Sequence, residues 1–174
     1  MTSSEEQPVY LVNAHNDPVL IKVNGRANYT NCAPVRELFK RLIHEGKHYY
    51  VIDFSQCAGM DSTFLGIMAG AILELRKCDP PGSITLCHLG TRNLELINNV
   101  GLYRLLTVES DCEACATMNF DEEKSTKVSP AEAPADSSLI LEAHQNLIRA
   151  DQGNRSKFQD VVSFLKKEIE EGGR

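Results

Sequence analysis

Within the first 110 residues the apolar side chains switch repeatedly between a spacing of two and a spacing near 3.6, which leaves few folds open. Val9–His15 and Val19–Val23 alternate as strands around the turn signal Asn16-Asp17-Pro18. Val35, Leu38, Phe39, Leu42 and Ile43 then fall on one helical face, with Thr30 or Asn31 as N-cap, Pro34 in the first turn and Gly46 past the end. Tyr49–Phe54 is apolar on both faces, as a central strand must be. After a short loop, a second helix runs from Ser62 to about Lys77 with Leu65, Met68, Ile72 and Leu75 as its stripe; Asp79-Pro80-Pro81-Gly82 breaks it. Strand Ser83–Leu89, a helix capped by Thr91 and ended by Gly101, and strand Leu105–Val108 follow. The order β-β-α-β-α-β-α-β predicts an α/β fold, a single layer of mixed, mainly parallel β-sheet with helices.

Residues 1–110 form this domain. Residues 111–137 read as an acidic, mobile linker, and 138–174 as a C-terminal helical extension. From Leu141 through His144, Ile148, Asp151, Arg155, Phe158, Val162 and Leu165 to Ile169 runs a seam that is apolar at both ends and polar between. One bent helix or two shorter ones would carry it. It is expected to dock on its own domain or to form a loose homodimer, with Asp151 and Arg155 pairing locally.

The chain has 174 residues and a formal charge of −6, with the acid surplus in the last third. No basic stripe is present, so nucleic acid and acidic lipid surfaces are poor partners, and the longest uncharged apolar run, Phe64–Leu73, is too short to span a membrane. The polar, acidic N-terminus lacks the apolar core of a signal peptide, which predicts a cytoplasmic protein. Cys32, Cys57, Cys78 and Cys87 lie in apolar segments and read as buried free thiols; Cys112 and Cys115 form a lone CxxC without a second pair. No phosphate-binding glycine loop, metal-binding spacing or nucleophile motif occurs. The chain is therefore read as a binding module and not an enzyme, with no cofactor and no metal.

The informative stretch is Tyr49–Gly66. On its own, Asp61-Ser62-Thr63 reads as an N-cap satisfying the free amides of a helix's first turn. The wider pattern adds to that: a strand ending Ile52-Asp53-Phe54-Ser55, then Met60-Asp61-Ser62-Thr63, then a helix with Gly66 and Gly70, and later Ile84–Leu89 and Asn98-Asn99-Val100-Gly101-Leu102. Over about residues 8–110 this strongly resembles the STAS domain of bacterial anti-sigma factor antagonists. The resemblance implies a STAS-like fold and a partner that is an anti-sigma factor and serine kinase, or a similar signalling protein. It implies Ser62 as phosphoacceptor, with Thr63 as second candidate. Where the family usually has glycine, this chain has Phe64.

On the second helix, Phe64, Ile67 and Ala71 form a stripe beside the core stripe. Either both stripes are buried, or Phe64 and Ile67 join Asp61, Ser62 and Thr63 as the partner-binding surface. The alternative functions are a constitutive STAS scaffold or a small-molecule-sensing module, each without a phosphoswitch.

Overall fold

The computed structural model describes residues 9–110, 124–129 and 131–172. Its sheet has six strands: β1 (Tyr10–Asn13), β2 (Val19–Ala27), β3 (Tyr49–Met60), β4 (Ser83–Cys87), β5 (Thr107–Glu109) and β6 (Thr126–Lys127), in the spatial order β5-β4-β3-β2-β1-β6. β2 through β5 are mutually parallel, and β1 runs antiparallel to both β2 and β6. Among the described residues the α-helices are α1 (Ala33–His44), α2 (Ser62–Lys77), α3 (Thr91–Asn99), α4 (Ser137–Ala150) and α5 (Arg155–Gly172), with a 3-10 turn at Gln152–Asn154 between the last two.

The period-2 strands send Val19, Ile21 and Val23, Tyr50, Ile52 and Phe54, and Ile84 and Leu86 into one core. Val35, Leu38, Phe39 and Leu42 of α1 meet them there. Gly46, just past α1, has φ +90°, a conformation that glycine adopts without a steric penalty.

α2 is buried on nearly all sides. Leu65, Met68, Ile72 and Leu75 are at most 2% exposed, and so is Phe64, whose ring stacks on Tyr10 with centroids 6.1 Å apart. Ile67 and Ala71 are buried too. An amphipathic reading assigns a helix one wet face; α2 shows exposed residues only at its C-terminal end, at Glu74, Arg76 and Lys77, because α1 and α4 flank it while the sheet lies beneath.

Several expectations change at their edges. β3 continues through Ser55–Met60, where a loop was expected, because β2 runs on beside it to Ala27 with register shifts at Lys22/Asn24 and Gly25/Arg26. The N-cap of α1 is Cys32, without a side-chain cap, since Asn31 instead accepts the Tyr10 hydroxyl and the Asn28 amide. Gly90, not Thr91, caps α3. Asp151 pairs with Arg104 at 3.3 Å and not with Arg155. Cys32, Cys57 and Cys78 are free, whereas Cys87 is disulfide-bonded, which its apolar setting did not reveal. The Cys112/Cys115 pair lies outside the described residues.

The stretch expected to be a mobile linker also contributes structure. Thr126 and Lys127 pair with Val12 and Leu11, and Val128 N–H donates to the Tyr10 carbonyl. Backbone pairing needs no apolar side chains, so polar residues can close the open edge of β1. Farther on, Ala135 is buried and its N–H donates to the Tyr29 carbonyl at 2.7 Å.

At the end of the first half of β3, burial pushes the Asp53 carboxyl up, but the Ser55 amide, the His88 ring and the Ser55 hydroxyl outweigh it and hold the group below its ordinary value. The Asp53 contribution to stability is therefore complete above the unfolded carboxylate range near pH 4 and is lost as pH falls through the lower folded value. Asp53→Asn should flatten this acid limb of a pH-stability curve; an unchanged limb would show that other carboxylates set it. Phe64→Ala should cost about 3–5 kcal/mol in chemical denaturation, as expected for emptying a buried ring site. A cost under about 1 kcal/mol would contradict the packing of Phe64 on Tyr10.

Candidate functional site

The strand-to-helix junction at Asp61 fixes the site. Asp61 N–H donates to the Ala27 carbonyl, which carries the β2–β3 pairing up to the start of α2. One carboxylate oxygen of Asp61 then accepts the Phe64 N–H at 2.9 Å, the N-cap bond expected from sequence. The other accepts the Tyr29 N–H at 2.8 Å, tying in the loop before α1. Ser62 follows as the first residue of α2 and is half-buried.

The Ser62 hydroxyl is not free. Its Oγ lies 2.8 Å from Nε2 of His144 on α4, 82 residues away in sequence. The other ring nitrogen, Nδ1, is 2.7 Å from the Ile140 carbonyl, which can only accept. Nδ1 therefore carries the proton of the neutral ring, and Nε2 accepts from the Ser62 O–H. His144 is 4% exposed, and the ring of Phe158 on α5 meets it edge-on with centroids 5.2 Å apart. The pair places a base within hydrogen-bond reach of a serine while keeping that serine's hydroxyl occupied.

The rest of α4 fits the same face of α2 closely. A Cβ on Gly66 would collide with the Ala143 backbone, and one on Gly70 with the Asn146 amide. Asn146 Nδ2 approaches the Gly66 carbonyl at 3.4 Å. Beyond α4, Asn154 donates through Nδ2 to the carbonyls of Val100 (2.9 Å) and Leu147 (2.8 Å), while Lys157 on α5 donates to the Asn99 carbonyl. Arg36 on α1 pairs with Glu142 at 2.6 Å. A groove of about 380 Å³ remains between α1, α2 and α4, lined in part by Phe39, Ile43, Ile67, Ala71 and Leu139.

Of the residues expected at a partner surface, Asp61 and Ser62 stand together at the head of α2, partly exposed. Thr63 is 3% exposed. Phe64 packs beneath the helix, so it presents no anchor to a partner in this structure; Ile67 is 5% exposed, at the wall of the groove. Burial of both stripes, one of the two sequence readings, is what the structure has. His144, Asn146 and Asn154 were not expected at the site. His144 has one sequence signal, its polarity on an otherwise apolar stretch of the seam; Asn146 and Asn154 lie off that seam and carry none.

Nearby, burial first and the Asp61 charge second push the Cys32 thiol up to about 12, so it stays protonated at neutral pH. Among the described residues, no group of three or more His, Cys, Asp or Glu side chains could hold a metal ion. No helix there is long and apolar enough to cross a membrane.

Comparison with known proteins places this geometry. An anti-sigma factor antagonist from Mycobacterium paratuberculosis superposes with a TM-score of 0.51 at 19% identity, covering 66% of this chain and 96% of its own. The anti-sigma factor antagonist SpoIIAA in its unphosphorylated form matches with a TM-score of 0.49 at 18% identity, covering 62% of this chain and 93% of its own. The Bacillus cell fate determinant SpoIIAA in the phosphorylated form gives 0.49 at 19%, covering 62% and 96%. No curated protein matches the chain by sequence. The STAS domain model matches residues 10–115, well over half of the chain, and the chain belongs to the STAS domain family.

Proposed function

We propose that this chain is a regulatory binding module of the anti-sigma factor antagonist type, not an enzyme. Its partner is an anti-sigma factor that is also a serine kinase, or a signalling protein of that kind. Ser62 is the phosphoacceptor and Asp61 its neighbour on the binding face. The observation that carries this reading is positional: Ser62 is the first residue of α2 just after a sheet strand, within the stretch matched by the STAS domain model and in an Asp61-Ser62-Thr63 sequence that resembles the family's phosphoacceptor motif.

A helix N-terminus can accept a phosphate without unfolding, because free amides and the positive end of the helix dipole face it. The consequence falls on the interface. A phosphoserine brings about −1.5 to −2 charges, and beside Asp61 they concentrate on one small patch. Burying that patch against a surface made for a neutral hydroxyl is costly enough to abolish binding. Thr63 is the weaker acceptor because it is buried.

One observation favours a second reading. The Ser62 hydroxyl already bonds His144, as it would in a constitutive scaffold where Ser62 only seats the C-terminal helices.

Calorimetric titration of an anti-sigma factor from the native cell separates the two. Ser62→Ala should bind it at least as tightly as wild type, and Ser62→Asp at least 100-fold more weakly. Equal affinities for the Asp variant and wild type would leave the scaffold reading in place of the switch.

A further inference from the structure

The face of α2 that starts at Ser62 already has an occupant, and that occupant belongs to the same chain. We propose that α4 and α5 form an intramolecular lid: docked, they shield Ser62 and exclude the partner, and the partner-competent form is the one with α4 lifted off α2. This rests on the reading of the Ser62 face as the partner face and adds its regulation.

Three features support a lid that closes and opens over a permanent core element. The contact at Ser62 is specific, because His144 is fixed at both ring nitrogens and backed by Phe158. The steric fit is specific as well: Gly66 and Gly70 leave room for Ala143 and Asn146, which any larger side chain would take away.

The third feature is polarity. His144, Asn146 and Asn154 are all at most 9% exposed, yet each bonds the domain or holds α4 at its edge. Polar groups satisfied in the closed form can be satisfied by water in the open form, so opening exposes less that water rejects than separating a purely apolar seam would. The outer ties, Arg36–Glu142 and Arg104–Asp151, are partly exposed ion pairs, which add little to a dock. The mycobacterial antagonist that shares the fold is covered over 96% of its length by 66% of this chain, so a third of this chain lies outside the shared fold.

The test uses the full chain with Gly66→Ala. Alanine is the better helix former, so α2 itself is not weakened, but its methyl would meet the Ala143 backbone, which cannot turn aside. His144→Ala is the second variant and removes only the ring that touches Ser62. Hydrogen exchange read by mass spectrometry should show α4 and α5 amides exchanging at least tenfold faster in Gly66→Ala, with β2, β3 and β4 unchanged. In a Ser62→Cys background, iodoacetamide should alkylate position 62 at least tenfold faster when either lid variant is added.

If neither variant changes exchange in α4 or alkylation at position 62, the lid is overturned. If the strands lose protection together with α4, the C-terminal helices are part of the core and the proposal is equally overturned. Failure of the switch reading looks different: the lid opens in both assays, yet Ser62 takes no phosphate when Gly66→Ala is incubated with ATP and native cell extract.

Discussion

The two oxygens of one carboxylate, on Asp61, set the geometry on which the rest of the site depends. One oxygen caps α2 through Phe64 N–H and the other holds the loop at Tyr29. The Asp61 N–H meanwhile takes the Ala27 carbonyl at the end of β2. A strand, a loop and a helix are thus joined at a single residue. Ser62 comes next in the chain, and its hydroxyl inherits a fixed position. Tyr29 in turn accepts from Ala135, so the chain leading into α4 is attached to the same loop.

Around that point the C-terminal helices complete the surface of α2. A helix buried by a sheet on one side and a helix on another still has a face left over. On α2 that face is made of Gly66 and Gly70, too small to cover themselves, and α4 covers them. Arginine and lysine on the margins, Arg36, Arg104 and Lys157, connect the two parts at their edges without filling the interior. The same head of α2 that would meet a partner is therefore also the seat of the chain's own extension.

The fold was legible because periodicity is written in the elements that build its core. Val35 to Ile43 and Leu65 to Leu75 could only be helical faces, and the strand at Tyr50–Phe54 could only be central. The bounds of α2 agree with the sequence reading because Asp61 is a strong cap and Pro80 a strong stop. Edges set by tertiary contact were less legible. β3 outlasts its apolar run because β2 accompanies it, and Thr126–Lys127 form a strand through backbone groups that any sequence provides.

The site was half legible. The Asp61-Ser62-Thr63 motif names the head of α2, but nothing local to Phe64 says that Tyr10, 54 positions earlier, waits beneath it. His144 was visible as a polar misfit on a seam that is apolar at both ends. Its partner could not be read, because the bond to Ser62 joins residues 82 apart across two packed helices.

The most direct measurement is site-resolved mass spectrometry of the full chain, wild type and Gly66→Ala, each expressed in the native cell and fragmented to locate phosphate. Phosphate on Ser62 in both chains, with higher occupancy in the variant, is the expected result. No phosphate at Ser62 in either chain, or phosphate at Thr63 instead, would contradict the assignment of Ser62 as the switch.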